Sequence, residues 1–302
     1  TLTGDPSKSS KGLKLTSATA GTKKTTLCFG LILTPLFSNS KYLPLFSSDN
    51  ITIRLTLASL AEGFMRDGAS GTMEVSYNPV SMICNIIKLD PEAQMMVDQS
   101  NGGVYTMILD DFRNSKASIA IPDRQTNVNL GMSFQSLSRV IFAYSPDGLA
   151  GDADTQGARS SRKVIDYAFQ LNGQNYPAQR IKAKFGASDE NVSEAIAEIR
   201  ASTRQSGDFS QSNDISLVDY KRENPNGKDT QGKAFYELDL EGLRATSENS
   251  VYSGLYTVGG TTSLSVAYDA DGTTANTVNV WGQYQGALTL DTNQSNIYTY
   301  SV

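Results

Sequence analysis

Residues 262–290 read TSLSVAYDADGTTANTVNVWGQYQGALTL. Thr262 to Tyr268 alternates apolar and polar side chains, Asp271-Gly272 is a hairpin signal, and Thr277 to Tyr284 alternates again before Ala287 to Leu290. A period of two turns one face of each segment to a core and the other to water, so the stretch predicts consecutive antiparallel strands. Comparable runs lie throughout the chain. Toward the N-terminus they are Leu27 to Thr34, Ile51 to Ala58, Thr72 to Tyr77, Met82 to Leu89, Val104 to Leu109, Ala117 to Ile121, Val128 to Phe134 and Arg139 to Tyr144. Nearer the C-terminus they are Val164 to Leu171, Gln179 to Phe185, Ile215 to Tyr220, Ala234 to Leu240, Val251 to Val258 and Ile297 to Tyr300. Gly, Pro, Asn and Asp separate the runs.

Two segments break this pattern. Pro91 to Gln99 predicts a short helix with proline at its first position. Asp189 to Thr203 predicts a longer one, with Val192, Ile196 and Ile199 on one face and Glu190, Glu194 and Glu198 directed away from it, toward solvent. The expected fold class is therefore all-β: two tandem eight-stranded jelly rolls with one longer helix in the second. The competing arrangement is one large sandwich with insertions. The expected units are an arm at 1–21, a first jelly roll at 22–148, a Gly- and Asp-rich linker at 149–162 and a second jelly roll at 163–302.

Composition removes several kinds of chemistry. The 302 residues contain no histidine, which excludes His-dependent nucleophile pairs and nearly all zinc and copper sites. Cys28 and Cys84 both lie in apolar segments and read as buried thiols. No secretory leader opens the sequence, and the longest apolar run, Leu27 to Phe37, is well short of the ~20 residues that span a bilayer, so a soluble protein is expected. The net charge of −5 is unevenly spread: residues 6–48 carry lysines and no acid, whereas residues 245–302 carry no Lys or Arg. Lys8, Lys11, Lys14, Lys23 and Lys24 form a basic arm suited to phosphates of nucleic acid or lipid.

Two local motifs carry chemistry on paper. Gly227 to Lys233 has the spacing of a phosphate-binding loop, but Ala234 stands where a magnesium-binding hydroxyl belongs and a strand pattern follows, so an exposed loop is expected. Glu237-Leu-Asp239-Leu-Glu241 would place three carboxylates on one face of a strand. It resembles the signature of laminarinase and lichenase type glycoside hydrolases, which would make Glu237 the nucleophile, Asp239 its modulator and Glu241 the acid/base. The plainer expectation is a half-buried strand with its acids in solvent. No catalytic residue, cofactor, metal or small-molecule substrate is expected.

Across residues 22–302 the strand pattern is similar to that of the double jelly-roll major capsid proteins of tailless icosahedral DNA viruses. Its local carriers are Tyr167-Ala-Phe-Gln-Leu-Asn172-Gly173-Gln-Asn-Tyr176-Pro177, the acidic helix from Asp189, and the run from Gly254 through Trp281 to Tyr300. The resemblance implies a structural protein made in host cytoplasm and placed in the virion shell. Homotrimers would form pseudo-hexagonal capsomers that meet neighbouring capsomers and minor capsid proteins, and the basic arm would face an internal membrane or genome. A carbohydrate-binding or adhesin sandwich is the other alternative.

Overall fold

The computed structural model describes residues 35–36, 42–43, 52–54, 56, 81–120, 124–146, 162–184, 191–203, 234–241, 254–269, 276–291, 293 and 297–302. Helix α1 is Pro91–Ser100, followed by β1 (Val104–Ile119), β2 (Gln125–Asn129), β3 (Leu137–Pro146), β4 (Val164–Leu171) and β5 (Gln174–Lys182). Helix α2 (Ser193–Thr203) precedes β6 (Tyr236–Asp239), β7 (Thr262–Tyr268), β8 (Asn276–Asp291) and β9 (Ile297–Ser301). The strands form two antiparallel sheets. One has the order β1-β8-β3-β6, with β9 beside β8, and the other has the order β2-β7-β4-β5.

Numbered along the chain, those two orders are the strand order of a jelly roll, in which successive strands pass between facing sheets. The all-β expectation holds. Its division into units needs correction, because residues 149–162 connect β3 to β4 inside this one jelly roll. Strands from before and after the break pair within both sheets, β8 lying between β1 and β3 and β7 beside β2. Composition marked a loop there, but long-range pairing overrides it as a boundary. The expected strands at 27–34, 72–77 and 215–220 lie outside the described residues, as does the arm at 1–21.

Local sequence explains the individual strands. Val164–Leu171 and Gln174–Lys182 make a hairpin through Asn172 and Gly173, whose φ values of 52° and 81° are those of a type I′ turn. The run at 104–109 and the 117–119 part of the next run belong to one 16-residue strand, and those at 277–284 and 287–290 belong to another. Polar Asp110 to Lys116 looked like a break, yet every residue from Val104 to Ile119 pairs with β8 without interruption. Two side chains help to hold it in register: Asp111 accepts the Tyr284 hydroxyl at 2.8 Å, and Asn114 donates to the Val280 carbonyl at 3.3 Å.

Between the sheets lies an aromatic core. Phe142 meets Tyr167 edge-on at 5.1 Å and Tyr236 in a stack at 5.0 Å, and Tyr144 meets Tyr268 at 6.0 Å. Such pairs contribute about 0.5–1.5 kcal/mol each beyond the area they bury. Their polar atoms are served inside the core. The Tyr144 and Tyr268 hydroxyls bond each other at 3.0 Å, and the Tyr167 hydroxyl donates to the Glu237 carbonyl at 2.9 Å, joining β4 of one sheet to β6 of the other.

Two threonines close the loop end of the sandwich. Thr257 Oγ1 accepts the Phe134 N–H at 2.8 Å and donates back to the Phe134 carbonyl at 3.2 Å. Thr262 treats Met132 the same way, at 2.9 and 3.1 Å. Each hydroxyl thereby satisfies both polar groups of a buried residue outside the named strands.

Candidate functional site

The carboxylate strand is the one sequence-derived site whose residues are all described. Tyr236 and Leu238 face the core, as the alternation predicts, and Glu237 and Asp239 face the opposite way. Glu237 is nevertheless only 1% exposed. Its Oε1 lies 3.2 Å from Nη1 of Arg139, which belongs to neighbouring β3 and is itself bonded through Nε to Gln283 of β8. The half-solvated strand face expected from sequence is corrected here: on a neighbouring strand, Arg139 supplies the counter-charge that lets a glutamate be buried.

Asp239 and Glu241 play local roles. Asp239 Oδ1 accepts the Glu241 N–H at 3.1 Å, a turn that ends β6. Burial raises the Glu241 carboxyl above the ordinary glutamate range, and the charges of Asp239 and Asp110 push it further in the same direction. A carboxyl held above its ordinary range is one half of what a retaining glycosidase needs. The nucleophile position fails the comparison, because Glu237 is enclosed and committed to Arg139 where a sugar's anomeric carbon would need access.

The remaining sequence candidates divide by position. Lys8, Lys11, Lys14, Lys23, Lys24, Cys28, residues 227–233 and Asp271-Gly272 lie outside the described residues. Asp269 is exposed and ion-paired with Lys184 at 3.9 Å. Cys84 is exposed and not buried, within residues 81–90, all of which are exposed and outside any strand. Its apolar neighbours Ile83, Ile86 and Ile87 gave a strand pattern, but pairing does not follow from pattern alone. Among the described residues, no group of three or more Cys, Asp or Glu is placed to hold a metal, and no helix is long and apolar enough to cross a membrane.

Sequence reasoning missed what α2 does. Val192, Ala195 and Ile199 are buried, as the amphipathic pattern requires, and the helix packs against both β5 and β6. Glu194 is exposed, as expected, and Glu198 is half-buried, and both reach backbone amides of those two strands. Their spacing of four was the available signal, since it sets both carboxylates on one side of the helix. Arg139 carried a signal as well, being a charge at the head of an apolar run.

No protein family model matches the chain, and no curated protein matches it. Among solved structures it is similar to PBCV-1 VP54, a crystal structure fitted into a reconstruction of the virophage Sputnik, at 11% identity, over 67% of this chain and 52% of that one, with a TM-score of 0.36. It is also similar to the PBCV-1 virus capsid, at 10% identity over 71% and 55% of the two chains with a TM-score of 0.40. The mavirus major capsid protein matches at 8% identity over 65% and 41%, with a TM-score of 0.32. The matches span about half the length of the first two structures and less of the third.

Proposed function

We propose that this chain is a viral major capsid protein, a structural component of an icosahedral virion shell without catalysis. The observation that carries the reading is the strand order, β1-β8-β3-β6 facing β2-β7-β4-β5, closed around an aromatic core. Such a sandwich presents rigid, flat outer faces and puts its connections at the ends, which suits repeated lateral contact between copies. Enclosure of Glu237 weighs in the same direction, since it takes the strongest catalytic constellation out of use.

Homotrimeric capsomers are the assembly we propose. Pseudo-hexagonal tiling needs two barrels from each chain, and residues 104–291 supply one. The lysines of residues 1–24 would face an internal membrane or the genome, neutralising phosphates without reading sequence. Neighbouring capsomers and minor capsid proteins would be the other partners.

Negative-stain microscopy of the purified full chain tests the reading. Trimers with a threefold or pseudo-sixfold outline, or closed shells, are expected. Monomers at every concentration would overturn it. A chain lacking residues 1–21 should keep its fold and form particles that no longer hold their inner layer; unchanged particles would remove the arm from the proposal.

A further inference from the structure

Helix α1 ends on an Asn-Gly pair, and little holds that helix to the sandwich. None of its ten residues is buried, and Asp90 at its N-cap makes no side-chain bond to the first turn. The Tyr105 hydroxyl donates to Asp98 at 3.1 Å across this exposed end. A helix of this length without burial is marginal in water, so its last turn opens at little cost. That turn is what restrains Asn101 and Gly102, both of them exposed. Asn101 Nδ2 donates to the Val97 carbonyl at 2.8 Å, and the Gly102 N–H donates to the Gln99 carbonyl at 3.2 Å.

Asn172-Gly173 has the same local chemistry in a different setting. The Asn172 N–H donates to the Thr261 carbonyl at 2.9 Å, and its Oδ1 accepts the Thr261 N–H at 2.9 Å. The strand before it, β4, buries Val164, Tyr167, Ala168 and Phe169. Freeing Asn172 therefore disturbs a hairpin anchored in the core, whereas freeing Asn101 frays one turn of an exposed helix. A third pair, Asn226-Gly227, lies outside the described residues.

We propose that Asn101 is a site of spontaneous deamidation, through which the joint between α1 and β1 ages. The Gly102 nitrogen, deprotonated by hydroxide, bonds to Asn101 Cγ as the Cγ–Nδ2 bond breaks, and Nδ2 leaves as ammonia. Water then opens the succinimide ring, at Cγ to give aspartate or at the backbone carbonyl to give isoaspartate. Glycine brings no Cβ to obstruct the attack. Either product loses the amide donor to Val97 and sets a carboxylate at the C-terminus of α1, where the helix dipole disfavours it. Isoaspartate also adds one carbon to the backbone immediately before Gly102, whose carbonyl accepts Asn293 Nδ2 at 2.8 Å. The next residue has no room to shift toward Asn293, since a Cβ on Gly103 would lie 2.5 Å from that same nitrogen. The longer backbone therefore breaks the contact between this turn and the β8–β9 connection.

The test keeps the full chain folded at mildly alkaline pH, with a parallel sample unfolded in guanidinium, and follows each asparagine by peptide mass spectrometry as amide becomes acid. In the folded chain Asn101 should convert at least about tenfold faster than Asn172, because the reactive form tracks local opening. In the unfolded chain the two should convert at similar rates. As Asn101 converts, amide hydrogen exchange should quicken at Gly103 and Val104, whose N–H groups bond the Asp98 and Asn101 carbonyls. Asn101→Gln closes the corresponding ring far more slowly and should keep its exchange unchanged over the same period. Equal rates in the folded chain, or faster conversion at Asn172, would overturn the site. Conversion at Asn101 without faster exchange at Gly103 and Val104 would overturn the ageing of the joint.

Discussion

Glu194 Oε2 accepts the backbone N–H of Lys182 at 2.9 Å. One helical turn later, Glu198 Oε2 accepts the Asp239 N–H at 3.4 Å, so two carboxylates on one helix serve the edge of β5 in one sheet and of β6 in the other. Edge amides left open invite pairing with other chains. In a protein that must choose its partners, α2 thus closes one side of the sandwich against unwanted strand addition. Glu194→Ala/Glu198→Ala should speed amide hydrogen exchange at Lys182 and Asp239 several-fold and increase aggregation, while the Gln pair, which retains an acceptor oxygen, should stay close to wild type. Unchanged exchange in the Ala pair would show that these bonds do not protect the edges.

Arg139 and Glu237 form a buried ion pair, and its two halves are not equivalent to their sum. Glu237→Gln would take from Arg139, at 9% exposure, the carboxylate 3.2 Å from its Nη1 and should cost up to about 3–5 kcal/mol in chemical denaturation. Arg139→Met/Glu237→Leu removes both charges and should recover most of that loss. A double variant no better than the single one would mean that the pair's other hydrogen bonds, not its charge balance, hold β3 to β6.

The fold class was legible in the sequence because period-two alternation depends only on local residues: Val164–Leu171 and Thr262–Tyr268 have the bounds the pattern predicts. Unit organisation was not, since nothing local tells Val280 that it lies opposite Phe142, across the 149–162 break. The same limit hid the burial of Glu237. A carboxylate's environment is set by what faces it from other strands, and Arg139 is 98 positions away along the chain.

Thr257 and Thr262 offer a cleaner energetic test, because valine matches their shape. Thr257→Val leaves the buried Phe134 N–H without its 2.8 Å acceptor, and Thr262→Val does the same to Met132. Each should cost about 1–3 kcal/mol, the penalty for an unsatisfied buried group. Serine at either position keeps the hydroxyl and should lose less. Equal losses for Val and Ser would show that the methyl group carries the packing and the hydroxyl contributes little.

Glu241 gives the fold a pH dependence of known sign. Burial and the acids around it raise its carboxyl in the folded chain, so the folded state binds this proton more tightly than the unfolded state does. Its contribution is therefore fully present below the ordinary glutamate pKa, near pH 4, and is lost as pH rises through the higher folded value. Glu241→Gln removes the ionisation and should raise the melting temperature at pH 7 while changing it little near pH 4. Asp110→Asn, by deleting one of the charges that raises the carboxyl, should shift the wild-type transition toward lower pH. A Glu241→Gln stability difference that is constant with pH would show that the carboxylate is already solvated in the fold, and would release β6 from any electrostatic strain at its C-terminal end.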